Sequence, residues 1–220
     1  MGFVVLAAGL SLLGVLGRLT VFEGAIGDAE ADFVAWTADR RTSTLDSVFT
    51  IGSTLSDTWT IVGVVVGAVT MLLATGHARH AVTIILAVLL EFSSFLVVGA
   101  VVDRERPDVE ALHSVPSTPS FPSGHVAAAF VLYGSLALVA RTVSSRPLPR
   151  ALWLLPLFVA LLVGASRVYE GVHNPTDVGA GLLLGAGALA AATTATGLQR
   201  FEGPVDHGTE SIDRHHRSRR

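Results

Sequence analysis

Apolar and polar residues are segregated along this chain rather than interleaved. Apolar residues dominate 3–22, 58–75, 81–102, 121–140, 151–168 and 178–198. These stretches lack both the two-residue alternation of a half-buried strand and the one-sided stripe of a surface helix. Each is about 18 to 22 residues long, which suits a helix crossing a hydrocarbon core of about 30 Å. The expected fold is all-α: a six-transmembrane helix bundle with short interfacial helices on its outer face. Few ionisable groups interrupt the stretches. Arg18, His125 and Arg167 lie near ends, where long side chains reach the interface. Glu91 falls in the middle of the third. A charged carboxylate there costs at least ~2.5–3.5 kcal/mol. It is expected to be neutral or paired inside the bundle, in a structural hydrogen bond rather than a catalytic role. Gly179, Gly181, Gly185 and Gly187 make the last stretch a small-residue surface suited to close helix packing.

The segments between these stretches set the organisation. Met1-Gly2-Phe3 has no basic region and no convincing cleavage site follows, so the first stretch is read as a membrane helix rather than a secretory signal. Within 23–57, Leu45, Val48, Phe49, Gly52 and Leu55 recur at helical spacing after Ser43 and Thr44, which are candidate N-caps. Phe33 and Trp36 precede them. A short helix on the membrane surface, or one covering the outer ends of the bundle, fits this pattern. Two units are expected: a membrane domain over 1–198 and a polar, disordered tail over 199–220. With the N-terminus inside, the inner segments 76–80, 141–150 and 199–220 carry nine arginines, against five on the outer side. That bias places both termini in the cytoplasm and the first, third and fifth inter-span segments outside a plasma membrane.

Composition narrows the chemistry. Only 15% of residues are charged, below the quarter or so typical of soluble domains. There is no Cys, which excludes thiolate metal sites and cysteine nucleophiles. There is also no Lys, all fifteen basic residues being Arg, which removes Schiff-base chemistry. Membrane lipids are the expected surroundings, and no nucleic-acid partner is expected.

Three segments that the span order puts on one face carry unusual residues. They are Asp103-Arg104-Glu105-Arg106-Pro107, then Ser120-Phe121-Pro122-Ser123-Gly124-His125, then Ser166-Arg167 with His173 and Asp177 following. Arg104, Arg106 and Arg167 offer planar donor forks that match phosphate oxygens. Ser123 and Gly124 open a helix whose first N–H groups lack intrahelical partners, which favours an anion. Of His125 and His173, one can act as nucleophile and the other as general acid. Asp177 lies four residues after His173, so both can face one way on a helical turn. His113, His125 and His173 could instead ligate a metal, but the surrounding arginines repel a cation, so no metal or other cofactor is expected.

Arg106-Pro107, Pro122-Ser123-Gly124-His125 and Ser166-Arg167-x5-His173-x3-Asp177 resemble, in order, the three motifs of the type-2 phosphatidic acid phosphatase superfamily of membrane lipid phosphatases. The last two motifs are complete, and the six-stretch layout extends the resemblance over about residues 3–198. The first motif departs from the family, which has a phosphate-holding Lys seven residues before its Arg. Here that position is Gly99, and Arg104 is the nearest substitute.

The resemblance implies hydrolysis of a lipid phosphate or pyrophosphate without a metal. His173 would attack phosphorus and form a phosphohistidine. His125 would protonate the leaving oxygen and then activate water. Asp177 would orient His173, while Arg104, Arg106, Arg167, Ser123 and Gly124 bind the phosphate. Polyprenyl pyrophosphate such as undecaprenyl pyrophosphate, phosphatidic acid and phosphatidylglycerol phosphate are the candidate substrates, and an outward-facing site favours the polyprenyl carrier. Vanadium haloperoxidases share the motifs and are the first alternative. A catalytically inactive lipid-phosphate binder or transporter is the second.

Overall fold

The computed structural model describes residues 1–115, 117–144 and 149–198, so the expected tail over 199–220 lies outside the described residues. These residues form eight α-helices and a short 3₁₀ turn, with no strand among them. The helices are α1 (Gly2–Thr20), α2 (Ala25–Ala38), α3 (Ser43–Thr54), α4 (Thr58–Ala74), α5 (Ala78–Val102), α6 (Gly124–Val143), α7 (Leu154–Tyr169) and α8 (Pro175–Thr196). The turn, Arg150–Trp153, leads into α7.

Each apolar stretch of the sequence corresponds to a helix within a few residues at either end. Among the described residues five segments are long and apolar enough to cross a membrane: Gly2–Thr20, Ser43–Ala74, Ala78–Val102, Gly124–Val143 and Pro175–Thr196. Leu154–Tyr169 is a shorter apolar helix. Many large apolar side chains face outward, among them Val5, Leu12, Val66, Leu89, Phe92 and Phe158. That pattern suits lipid rather than water, since monomeric soluble proteins seldom expose contiguous apolar belts.

α6 lies at the centre, packed against α5, α7 and α8. Val126, Ala129, Val159, Ala160 and Val163 join α6 to α7, while Ala87, Val131, Ala188 and Ala192 join α5, α6 and α8. α8 approaches α6 so closely that a methyl group on Gly181 would lie 2.5 Å from the Ser123 carbonyl, and one on Gly185 2.7 Å from that of Ala127. The small-residue run of α8 therefore sets the distance between the two helices.

The 23–57 segment holds two helices. α3 matches the expected periodicity, but its N-cap is Thr42, whose hydroxyl accepts from the Leu45 N–H at 3.3 Å. Ser43 and Thr44 lie inside the first turn instead. α2 carries Phe33 and Trp36, which stack with ring centroids 5.9 Å apart. α2 and α3 both pack against α7.

Candidate active site

α5 ends at Asp103, whose φ of 47° is left-handed. Asp tolerates this region better than most residues because its short polar side chain bonds locally. The reversal turns the chain after α5 back across the bundle end. Backbone bonds then tie the segments together. The Ser120 N–H donates to the Arg104 carbonyl at 2.8 Å, the Ser123 N–H to that of Asp177 at 3.0 Å, and the Leu112 N–H to that of Glu170 at 3.0 Å. The starts of α6 and α8 and the ends of α5 and α7 thereby meet at one end of the bundle, with all three motif segments between them.

His173 is 3% exposed and Asp177 is completely buried. Asn174 and Asp177 form a reciprocal capping box at the start of α8, with Pro175 in its first turn. The box fixes Asp177 in place. One carboxylate oxygen accepts from the Ser120 hydroxyl at 2.5 Å and the Asn174 N–H at 2.8 Å. The other accepts from Arg104 at 2.6 Å. His173 Nδ1 lies 3.7 Å from the Asp177 carboxylate, which is an electrostatic contact longer than an N–H···O bond. That nitrogen has no hydrogen-bond partner among the described residues. Burial, chiefly, pulls the His173 pKa below its ordinary value; Asp177 opposes the shift, and Arg106 and Arg167 add to it. The ring is therefore neutral at neutral pH, the form a nucleophile needs.

The three arginines occupy different environments. Arg106 donates to the Val172 carbonyl at 2.6 Å and to the Thr118 carbonyl through Nε at 3.2 Å and a terminal nitrogen at 3.1 Å. It thus ties the residues just before the second motif segment to the third while lining a cavity with both histidines. Arg167, buried in the last turn of α7, donates to Glu170 at 2.7 Å and to the Ser53 hydroxyl at 3.1 Å, and its Nε is unpartnered. Arg104 is engaged throughout. One terminal nitrogen bonds Asp177 at 2.6 Å and the Thr176 hydroxyl at 2.7 Å, the other pairs with Glu30 at 3.0 Å, and the guanidinium lies 3.9 Å over the Phe22 ring. These bonds hold it against Asp177, and it also lines a cavity of about 780 Å³ with Arg18, Arg106 and Asn174. Gly99 itself has room: a methyl group there would meet only the Phe121 carbonyl, at 3.7 Å.

Ser123 is the N-cap residue of α6, fully buried, with an unpartnered hydroxyl. Gly124 follows, and a methyl group there would press on the Phe95 ring at 3.0 Å. The buried Ser123 hydroxyl and Arg167 Nε are both without partners, as are His173 Nδ1, which is turned toward Asp177, and one Glu170 carboxylate oxygen. Buried polar atoms normally find partners, so the two donors on Ser123 and Arg167 fit a site completed by an anion.

A cavity of about 510 Å³ brings together His125, His173, Arg106, Thr118, Pro119 and Gly124 on one side and Ile61, Val62, Val88, Phe92 and Phe95 on the other. Phe92 and Val62 are themselves largely exposed on the outside of the bundle, so the cavity reaches the apolar surface. Glu91 also lines it. The expected structural hydrogen bond of Glu91 is not formed: no partner is found for it among the described residues. His113 is elsewhere, bonded to Thr50 at 2.9 Å. Among the described residues no three His, Cys, Asp or Glu side chains are grouped to hold a metal ion.

Several participants escape sequence reasoning. Glu30 accepts from the Thr176 N–H at 2.6 Å and from its hydroxyl at 3.0 Å, besides pairing with Arg104. Nothing local marks it, because its partners lie more than seventy positions away. Glu170 was legible in principle, three residues after Arg167 on the same turn. Burial raises its pKa, although Arg167 opposes this.

Comparison with known proteins agrees with this geometry. Residues 76–200, more than half of the chain, match the model of the PAP2 superfamily. The chain belongs to that superfamily. An undecaprenyl-diphosphatase of Sulfolobus acidocaldarius is 43% identical over 74 residues, 34% of this chain and 32% of that protein. Phosphatidylglycerophosphatase B of Bacillus subtilis is 40% identical over 87 residues, 38% of this chain and 42% of that protein. The match thus spans less than half the length of either curated relative. The crystal structure of a transmembrane PAP2-type phosphatidylglycerolphosphate phosphatase from Bacillus subtilis superposes with a TM-score of 0.73 at 24% identity, covering 91% of this chain and 99% of that one. That of Aquifex aeolicus LpxE gives 0.59 at 25% identity, covering 74% and 93%. The chain is a multi-pass membrane protein of helical fold.

Proposed function

We propose that this protein is a lipid phosphate hydrolase with six membrane spans, its catalytic face outward and both termini cytoplasmic. The observation that carries the reading is the shared cavity, which joins two histidines and an arginine to an apolar wall reaching the lipid-facing surface. A phosphate on a lipid can place its anionic end among Arg106, Arg167, Ser123 and the start of α6 while its chain stays in hydrocarbon. α7 alone is roughly 24 Å long at 1.5 Å per residue. Its leading 3₁₀ turn adds roughly 8 Å, enough for α7 to make the fifth of the six crossings.

In the proposed mechanism His173, neutral and buried, attacks phosphorus in line. Asp177, four residues on, stabilises the charge that develops on the ring. His125 protonates the departing oxygen and then takes a proton from the water that hydrolyses the phosphohistidine. Arg106 and Arg167 stabilise the equatorial oxygens. Arg104 holds Asp177 rather than the phosphate. Support for these roles comes from the cavity lining and the unpartnered atoms around it.

Two measurements test this reading. Purified protein in detergent should release phosphate from at least one of polyprenyl pyrophosphate, phosphatidic acid and phosphatidylglycerol phosphate, and a chelator should leave the rate unchanged. Inhibition by a chelator that added metal reverses would overturn the metal-free mechanism. For topology, a reporter active only in the cytoplasm should give signal when fused after Arg220. It should be silent when inserted between Asp108 and His113, and the reverse pattern would invert the orientation.

A further inference from the structure

Glu91 is a buried carboxyl, 5% exposed, with no hydrogen-bond partner among the described residues. It is not hidden in packing, for it forms part of the wall of the cavity that holds His125 and His173. Its depth follows from the neighbouring turn. Phe95 lies against the first residue of α6, since a methyl group on Gly124 would touch its ring at 3.0 Å. Glu91 is one turn further into the bundle, roughly 6 Å deeper at 1.5 Å per residue. α5 and α6 run antiparallel there, so Glu91 lies near the level of Ala128, also in the cavity wall. A lipid that occupies this cavity with its phosphate at His173 passes its first few atoms beyond the scissile ester beside this carboxyl.

A hydroxyl at this level gives the carboxyl the hydrogen-bond partner it lacks, and a site built to bond a hydroxyl rejects substrates without one.

We infer that Glu91 determines substrate choice, by accepting a hydrogen bond from a hydroxyl beside the phosphate-bearing carbon of a lipid phosphate monoester. The inference rests on the proposed lipid phosphatase activity of the same cavity.

The test compares three probes with full-length protein in detergent: 1-acylglycerol 3-phosphate, which has the free hydroxyl; phosphatidic acid, in which it is acylated; and a polyprenyl diphosphate, which has no such hydroxyl. The parent should prefer the free hydroxyl over the acylated one in kcat/KM. Glu91→Leu should lower that preference about tenfold or more. Glu91→Gln should keep it within a few-fold, because an amide still accepts the bond. A structural role would lower all rates by one common factor, and that result overturns the inference. So does a parent that prefers either substrate without the hydroxyl. A parent that turns over none of the three overturns the lipid phosphatase reading itself and the inference with it.

Discussion

Replacing His173 by alanine should eliminate phosphate release, with kcat falling by on the order of 10⁴-fold or more, the scale seen when a nucleophile is lost from a concerted site. The fold should survive. His173 Nδ1 has no partner to lose, so the substitution leaves no donor or acceptor of another residue unpaired on that side. A thermal melt within a few degrees of the parent, together with loss of acid-labile phosphoprotein, is the expected pair of results. His125→Ala should behave differently. It removes proton delivery, so a substrate with a good leaving group should still phosphorylate the protein while hydrolysis stalls and phosphohistidine accumulates. Full turnover in His173→Ala would place the nucleophile elsewhere. The pH dependence supplies a second reading of the same residue. Burial lowers the His173 pKa below 6.5, so the proton leaves at lower pH than from a free histidine and the ring is already neutral at pH 7. The acid limb due to His173, after allowance for the substrate's own ionisation, should lie below pH 6.5. A limb centred above that value would require a protonated, charge-stabilised ring and contradict the role.

Arg104→Ala should have the second largest effect, through Asp177. The substitution strands two carboxylates, since Glu30 and Asp177 lose partners at 3.0 and 2.6 Å in surroundings where side-chain exposure is below a tenth. Breaking a buried pair of this kind costs about 3–5 kcal/mol. Stability should fall measurably, and kcat/KM should fall by one to several orders of magnitude, each factor of ten corresponding to about 1.4 kcal/mol. Arg104→Lys should recover only part, because one ammonium cannot serve Asp177, Thr176 and Glu30 together. Glu30→Gln should weaken the same clamp more mildly. Gly99→Lys discriminates between the two roles open to Arg104. If Arg104 holds Asp177, a lysine at Gly99 should not rescue Arg104→Ala, although space exists for it beside Phe121. Substantial rescue would return Arg104 to the phosphate and remove the positioning role.

Sequence and structure divide the site in an instructive way. His173, Asp177 and Pro175 were legible as a unit because their relation is local: a four-residue spacing at a helix start forces proximity wherever the helix lies. The same holds for Ser123 and Gly124 at the start of α6. Arg104 was legible as a cation beside the site but not in its function, because its partners Glu30 and Asp177 lie far away in sequence. Glu91 was legible as an anomaly, a carboxyl among apolar residues, yet the sequence names neither a partner nor the cavity it faces.

The chain by itself determined the helices and their membrane character, because apolar runs of about twenty residues admit few other structures in water or lipid. It also determined membership of a phosphate-handling family, through motifs whose residues act over short spacings. The tertiary structure alone decided which charges are free. Whether an arginine meets a substrate or a carboxylate depends on which helix ends converge, and that follows from the left-handed turn at Asp103, the glycine-set contact of α8 with α6, and the docking of α2 through Glu30. These are long-range consequences of packing, and no local pattern encodes them.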